Sequence, residues 1–191
     1  RSRYLLVENR KVENYVDMAL YYARMDAVYK DYMIAETNLQ EVAQQVLLQN
    51  KYYLIQSHVK AEVACPDTVY SDKKWIAFIL NQLIQNSVKY GRSEGTHIQI
   101  VTKKTKSGVL LRVKDDGIGI PKEEIPRIFE KGFTGTNGRN RERSTGMGLY
   151  LCRKLCDKLN IEIRAESAEG KGTEIILMFP VSDYLTGYRE T

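Results

Sequence analysis

An apolar run that ends in an acidic, glycine-rich turn constrains the fold of this chain more than any other segment. Residues 109–113 have the composition of a strand, and Asp115-Asp116-Gly117-Ile118-Gly119 follows almost at once. Glycine adopts positive φ freely, so Gly117 and Gly119 predict a tight turn that a flat ligand can approach closely. A carboxylate at a strand end can accept a hydrogen bond from an exocyclic amine such as that of adenine. Most Asp-Gly pairs are ordinary turns, however, so other segments must agree.

The bulk composition fits one globular domain with an additional element. The chain has 191 residues, of which 43% are hydrophobic and 28% charged, and no apolar run approaches the length of a membrane span. The net charge of +5 suits a polyanionic ligand such as a nucleotide, and it predicts no nucleic-acid partner. The three cysteines show no metal-like clustering, which favours reduced cysteines in a cytosolic domain. A chain that begins at Arg1 without Met reads as a piece of a longer protein.

Residues 8–36 contain neither Gly nor Pro and predict one long amphipathic helix. Val12, Val16 and Ala19 recur at helical spacing. Such a length favours a bundle or coiled-coil partner, and the alternative is a helix that packs on its own domain.

The remaining segments alternate between helix and strand patterns. Thr37 or Asn38 can cap the first of these helices and Asp72 the second. The predicted helices are 39–50, 73–90, a short one from Pro121 to Phe129, and 147–159. The predicted strands are 59–64, 69–70, 97–104, 108–114, 162–167 and 173–179. Residues 132–145 are rich in Gly, Asn, Thr and Arg, and they predict a long functional loop.

The helix 73–90 carries a polar face near its end. Asn86 lies one turn after Gln82, and Lys89 and Tyr90 follow one turn later. An Asn oxygen is a suitable ligand for Mg²⁺, a Lys can meet a phosphate as a point charge, and a Tyr can pack on a base. The alternative is a solvated face whose last Lys suits the helix dipole.

Two further segments border the predicted loop. Phe129 and Phe133 flank a charged pair where the loop begins, which indicates a hinge or, alternatively, a surface helix end with one buried Phe. At its other end Gly146-Met147-Gly148-Leu149 opens a helix whose free N–H groups and dipole favour phosphate. The loop carries three arginines that can also reach phosphates: Arg139, Arg141 and Arg143.

The order of these motifs resembles the N, G1, F and G2 boxes of bacterial sensor histidine kinases, whose ATP-binding domain has the GHKL (Bergerat) fold. The matching segments are 86–90, 115–119, 129–133 and 146–149, and Gly172-Thr173 matches a pair in the last hairpin. The resemblance covers residues 38–181. It implies an α/β two-layer sandwich with a mixed sheet.

The same resemblance implies a site for ATP and Mg²⁺. Asn86 would hold Mg²⁺, Asp115 would read adenine, Tyr90 would contact the base and Lys89 a phosphate. The other implied nucleotide-binding residues are Gly117, Gly119, Phe133, Arg143, Gly146, Gly148, Leu149 and Thr173.

The resemblance also divides the chain and implies partners. Residues 1–36 would be the end of a dimerisation hairpin, and residues 37–191 the catalytic domain. The acceptor histidine would lie outside this chain, since neither His58 nor His97 matches the acceptor motif. The implied partners are a second copy bound through the hairpin, a response regulator, and a transporter or other membrane sensor. The location would be the cytoplasmic side of a membrane-anchored bacterial sensor, in a subgroup that responds to cell-envelope antibiotics.

Position 82 bears on the reaction type. Water-activating ATPases of this fold resemble one another in placing a Glu one turn before the Mg²⁺ Asn, where it can act as general base. Gln82 cannot take up that proton. The interpretation is therefore phosphoryl transfer to a histidine. The alternatives are a serine kinase of the anti-sigma-factor type and a non-catalytic nucleotide-binding module.

Overall fold

The structure is a computed structural model that describes residues 12, 16, 19, 32–136 and 145–181. Contacts divide the chain into two units, Arg1–Met33 and Ile34–Thr191. In the first unit Val12, Val16 and Ala19 are helical, and both valine side chains are exposed. The assignment of this segment to a dimerisation hairpin stays a prediction. The second unit contains the elements described below.

A mixed five-stranded sheet forms one layer of the second unit. Its strand order is β2-β4-β5-β7-β6, with β2 and β4 parallel and the other pairs antiparallel. A separate two-stranded sheet pairs β1 with β3. The strands are β1 Ala35–Asn38, β2 Val59–Ala64, β3 Thr68–Ser71, β4 Thr96–Thr105, β5 Gly108–Asp115, β6 Glu162–Ala168 and β7 Gly172–Pro180.

Helices cover one face of this sheet and form the second layer. They are α1 Leu39–Gln49, α2 Lys51–Gln56, α3 Lys73–Lys89 and α4 Gly148–Lys158. α3 contacts α1, α4, β4 and β5, so it lies at the centre of the layer. Apolar strand residues such as Ile98, Ile100 and Leu111 are fully buried, whereas neighbours such as Gln99 and Lys114 are exposed. This alternation is that of a sheet with one covered face, and it confirms the predicted two-layer α/β sandwich.

Side-chain caps fix the starts of two helices, as the sequence predicts. The Asp72 carboxylate accepts hydrogen bonds from the backbone N–H groups of Lys74 (2.9 Å) and Trp75 (3.2 Å) at the start of α3. At the start of α1 it is Asn38, and not Thr37, that accepts from the Glu41 N–H. Both caps satisfy donors that a helix N-terminus leaves unpaired.

One predicted helix boundary is wrong, and one short helix is absent from the prediction. Ala35 and Glu36 do not continue the first helix but belong to β1, which pairs with β3. The predicted helix 39–50 ends at Gln49, and a second helix, α2, follows. At the junction the Asn50 side-chain amide donates to the Val46 backbone carbonyl and to the side-chain oxygen Oδ1 of Asn81 (2.8 Å each), which ties the junction to α3.

The predicted helix from Pro121 to Phe129 is also wrong. Only a 3₁₀ turn, Ile125–Arg127, forms there. Pro126 has no N–H to donate to the carbonyl four residues earlier, so an α-helix cannot run through this position. Residues 132–136 of the predicted loop are described. Arg139, Arg141 and Arg143 lie outside the described residues.

Within the described part of the chain, no helix is both long enough and apolar enough to cross a bilayer.

Candidate functional site

An open cavity lies at one end of the sandwich, where α3 and β5 end and where β7 and α4 begin. α3 contributes Leu83, Asn86 and Ser87 to the lining, and Tyr90, the C-cap that follows α3, contributes as well. Asp115 and Thr173 come from β5 and β7, in which they are register partners. These elements bring residues more than 80 positions apart in sequence to one site.

A network around Asp115 forms one side of the cavity. The carboxylate accepts hydrogen bonds from the Ser87 hydroxyl (2.8 Å) and from the backbone N–H groups of Gly117 (3.0 Å) and Thr173 (3.2 Å). We call Ser87, Asp115, Gly117 and Thr173 the carboxylate wall. Burial raises the pKa of the Asp115 carboxyl above its usual range, and the three donors oppose that rise. Because three donors hold it, this carboxylate has a fixed orientation toward the cavity.

The two glycines of the turn are required by the protein's own backbone. A Cβ at Gly117 would lie 2.5 Å from the Tyr90 carbonyl oxygen. Gly119 has φ +74°, and its Cβ would lie 2.1 Å from the Ala168 carbonyl oxygen. From the sequence, the expected role of these glycines is to let a ligand approach the backbone closely. The structure shows that the turn must also press against α3 and the β6–β7 hairpin.

Arg92 ties together the segments behind this turn. Its guanidinium donates to the carbonyl oxygens of Asp116 (2.8 Å) and Gly170. The Asp116 carboxylate in turn accepts from the His97 backbone N–H at 2.7 Å. The end of α3, the 115–119 turn and the β6–β7 hairpin are thereby linked, although Arg92 itself does not line the cavity.

A second part of the cavity lining is built differently. Phe133, Thr134 and Leu149 contribute to its lining. Next to them two backbone segments cross, because the Gly132 N–H donates to the Gly146 carbonyl at 3.0 Å. A Cβ at Gly146 would lie 2.4 Å from the Gly132 carbonyl carbon. We call Gly132 and Gly146 the glycine crossing. It joins the start and the end of the predicted loop.

Most of the residues predicted from the sequence meet at this cavity. Those in its lining are Asn86, Tyr90, Asp115, Gly119, Phe133, Leu149 and Thr173. Gly117 and Gly146 are not in the lining but pack against the Tyr90 carbonyl and the Gly132 backbone, and Gly148 packs against α3, where a Cβ would lie 2.9 Å from Gln82 Oε1. Lys89 does not line the cavity, and its ammonium lies 5.5 Å from the centre of the Tyr90 ring. Arg143 is outside the described residues.

Sequence reasoning assigned no role to several lining residues. Ser87 bonds to Asp115, and its only signal is its position beside Asn86 on the helix. Glu124 lines the cavity from the 3₁₀ turn, where the sequence predicts a regular helix instead. Apolar lining comes from Ile120, Ile128 and Ile175, which resemble ordinary core residues in sequence. Their place in the cavity lining depends on tertiary packing, which no local sequence pattern indicates.

A comparison with known protein families identifies the family to which this domain belongs. Residues 71–183 match the family described as histidine kinase-, DNA gyrase B-, and HSP90-like ATPases. The chain belongs to this family. The match spans the carboxylate wall and the glycine crossing, so the cavity lies within the part of the chain that matches this ATPase family.

Curated relatives narrow the comparison to sensor kinases. The chain is 34% identical to the sensor histidine kinase YxdK of Bacillus subtilis (strain 168) over 174 residues, covering 90% of this chain and 54% of the relative. It is 36% identical to the sensor protein kinase GraS of Staphylococcus aureus (strain JH1) over 188 residues, covering 96% of this chain and 53% of the relative. The chain thus spans about half the length of these relatives.

A solved structure supports the same fold. The nucleotide-free catalytic domain of the histidine kinase ThkA superimposes with a TM-score of 0.66 at 26% sequence identity. The match covers 78% of this chain and 97% of that domain. The predicted GHKL fold is therefore confirmed.

Proposed function

We propose that this domain binds Mg-ATP in the cavity and donates the γ-phosphoryl group to a histidine of a partner helical hairpin. The observation that carries the proposal is the carboxylate wall. Asp115 presents a buried acceptor held by three donors, at the position where the resemblance to sensor kinases expects adenine to be read. A carboxylate of fixed orientation selects a ligand with an amine at the matching position, which adenine has and guanine lacks.

The residues present suit the remainder of Mg-ATP. Asn86 offers an amide oxygen in the lining, and an oxygen donor is what Mg²⁺ requires when it keeps several waters and takes phosphate oxygens. The bound ion would neutralise charge on the phosphates during transfer. The first turn of α4 has no acidic residue and no side-chain cap, so its N–H groups and dipole favour an anion beside Leu149.

The surroundings of Gln82 support transfer to an external acceptor over attack by water. Gln82 is buried and does not line the cavity. Its amide oxygen lies beside Gly148, where a Cβ would be 2.9 Å away from it. A neutral amide in that place cannot act as a general base. Catalysis would then depend on positioning the phosphate toward a histidine nitrogen and on charge neutralisation. The same residues leave a serine acceptor as the alternative.

The whole protein would use this domain in signalling. The similarity to sensor kinases supports residues 1–36 as the end of a dimerisation hairpin, with two copies joined through it. We further propose a response regulator as the next phosphoryl acceptor, a cytoplasmic position in a membrane-anchored sensor, and a transporter or other membrane sensor as a partner. The relatives YxdK and GraS are sensor proteins, which fits the proposed response to cell-envelope stress.

Isothermal titration calorimetry of Asn86→Ala tests the nucleotide site. We expect this variant to lose most of its Mg-dependent ATP affinity, because the amide oxygen proposed for the ion is removed. Gln85→Ala is the matched control, since Gln85 is the neighbouring amide on α3 and does not line the cavity. Equal ATP affinity in Asn86→Ala and wild type, with Mg²⁺ present, would refute the proposed ion site.

A phosphotransfer assay tests the reaction. The 191-residue chain with labelled ATP should phosphorylate an added hairpin domain that carries an acceptor histidine, and it should label itself negligibly. The label should be acid-labile and alkali-stable, as phosphohistidine is. An acid-stable label on the hairpin would favour the serine kinase, and a label on His58 or His97 at a comparable rate would contradict the proposal.

A further inference from the structure

Glu124 is a second carboxylate in the cavity lining, and its hydrogen bonds go to the opposite side from Asp115. Its Oε1 accepts from both the backbone N–H (2.8 Å) and the hydroxyl (2.5 Å) of Thr136, twelve residues later. Bonds of this kind, in which the acceptor carries a charge, are about twice as strong as neutral ones. Among the described residues Glu124 has no ion-pair partner within 4.0 Å, so the charge is directed to Thr136.

The other carboxylate oxygen rests on the neighbouring backbone. A Cβ at Gly135 would lie 2.5 Å from Glu124 Oε2, so this oxygen lies directly beside Gly135. Phe133, Thr134 and Gly135 all line the cavity immediately before Thr136. Glu124 therefore contacts the segment 133–136 at the point where that segment lines the cavity.

The turn that carries Glu124 is itself well anchored. Its N–H donates to the Pro121 carbonyl and its carbonyl accepts from the Arg127 N–H, both at 2.9 Å. Arg127 makes a second contact with the segment 133–136, since its guanidinium lies 4.6 Å from the centre of the Phe133 ring. The 124–127 turn thus holds the segment 133–136 at two points, one by charge-assisted hydrogen bonds and one by a cation–π contact.

We propose that Glu124 is a positioning residue for the nucleotide, which it affects by holding residues 133–135 of the cavity lining in place through Thr136. This inference rests on the proposed function. A negative charge in a cavity for a triphosphate opposes binding by itself. The charge can still favour binding if Glu124 orders the segment 133–136 before the ligand arrives, because a preformed segment lowers the conformational entropy that binding must remove.

The neighbouring Glu123 provides a matched control. It has the same charge one position earlier, it is exposed, and it does not line the cavity. Thr136→Val removes the hydroxyl bond to Glu124 but keeps the backbone bond, and Thr136 is exposed, so this variant should fold normally. Glu124→Gln keeps an oxygen acceptor and removes the charge.

The experiment measures ATP affinity by calorimetry and the release rate of a fluorescent ATP analogue by stopped flow. It uses the 191-residue chain, and thermal unfolding verifies the fold of each variant. We expect Glu124→Ala to lower ATP affinity about tenfold and to speed ATP release, because the charge-assisted hydrogen bonds are lost and the segment 133–136 is no longer preformed. Glu124→Gln should recover most of the affinity, and Glu123→Ala should match wild type. In the phosphotransfer assay Glu124→Ala should raise KM for ATP more than it changes kcat.

Coupling between the two side chains decides whether Glu124 acts through Thr136. Thr136→Val alone should weaken binding a few-fold, and it should add nothing in a Glu124→Ala background. Unchanged affinity in Glu124→Ala, or tighter binding in both Glu124→Ala and Glu124→Gln, would overturn the inference and indicate only electrostatic repulsion. Failure of the wild type to bind ATP would overturn the proposed function itself, which is a distinguishable result.

Discussion

The carboxylate wall at the cavity and the glycine crossing next to it are held together by different means. The wall is joined by side chains, with Ser87 and the backbone N–H groups of Gly117 and Thr173 all directed to Asp115. The crossing is joined by one backbone hydrogen bond between Gly132 and Gly146. One side therefore has a buried charge in a fixed orientation, and the other has two chain segments in contact.

This difference separates recognition from access. A buried acceptor with three donors can discriminate among ligands, since an unmatched polar group there would cost free energy. A backbone crossing has no such chemistry, but it determines where the segments 133–136 and 145–149 run. We therefore expect changes in the wall to alter stability and base selectivity, and changes in the crossing to alter nucleotide affinity with less effect on stability.

Gly172→Ala should have the largest effect, and it tests how rigid the wall is. Gly172 has φ +99°, and a Cβ there would lie 2.0 Å from the backbone oxygen of Asp115. Gly170, in the same hairpin, also has positive φ but nothing within 4 Å of its Cβ position. In urea unfolding we expect Gly172→Ala to lose about 3 kcal/mol or more and Gly170→Ala about 1 kcal/mol. Equal losses would mean that the wall yields to the added methyl group.

Asp115→Asn should separate binding from stability within the wall. The amide keeps an oxygen acceptor for the Gly117 and Thr173 N–H groups, but it presents no second acceptor to the ligand amine. We expect ATP affinity to fall about 10- to 100-fold in calorimetry, as for a lost hydrogen bond to a charged group. A parent protein that binds ATP and GTP equally would count against the adenine assignment.

The same variant should show a defined pH dependence of stability. Burial raises the pKa of Asp115 in the folded state, so folding favours the protonated carboxyl. The stability that this group contributes is complete below its unfolded pKa of about 4 and is lost as pH rises through the folded pKa. Asn does not titrate, so the unfolding free energy of Asp115→Asn relative to wild type should increase with pH across that window. A decrease in urea titrations over the same range would contradict the raised pKa.

Gly146→Ala should have a smaller effect on stability than Gly172→Ala, and it tests the crossing. Gly146 and Gly132 both have positive φ, but only the Gly146 Cβ would meet backbone, whereas Gly132 has open space. We expect Gly146→Ala to lower ATP affinity about fivefold more than Gly132→Ala, because it must separate the two segments. A loss of stability in Gly146→Ala as large as that in Gly172→Ala would remove the proposed distinction between the two sides.

Local signals predicted the elements well and some of their ends poorly. The Asp72 cap and the alternation along β4 act over a few residues, so the sequence shows them directly. The break at Asn50 depends on a hydrogen bond to Asn81, 31 residues away, and β1 depends on its pairing with β3. Pro126 is visible in the sequence, and its effect on the predicted helix from Pro121 was missed.

The site follows the same division. Motif order placed Asn86, Tyr90, Asp115 and Thr173 together, and the structure brings all four to one cavity, where their ligand contacts stay predictions. Lys89, by contrast, occupies the expected helix position but does not reach the lining.

The sequence by itself determined the alternation of helices and strands, the family and the chemical types gathered at the site, because caps, periodicities and motifs are properties of adjacent residues. Only the tertiary structure decided which donors hold Asp115, that Gly119 presses on Ala168, and that Glu124 reaches Thr136. Those contacts arise when β5, β7 and the 3₁₀ turn pack at one end of the sandwich. They join residues whose separation along the chain conceals their proximity.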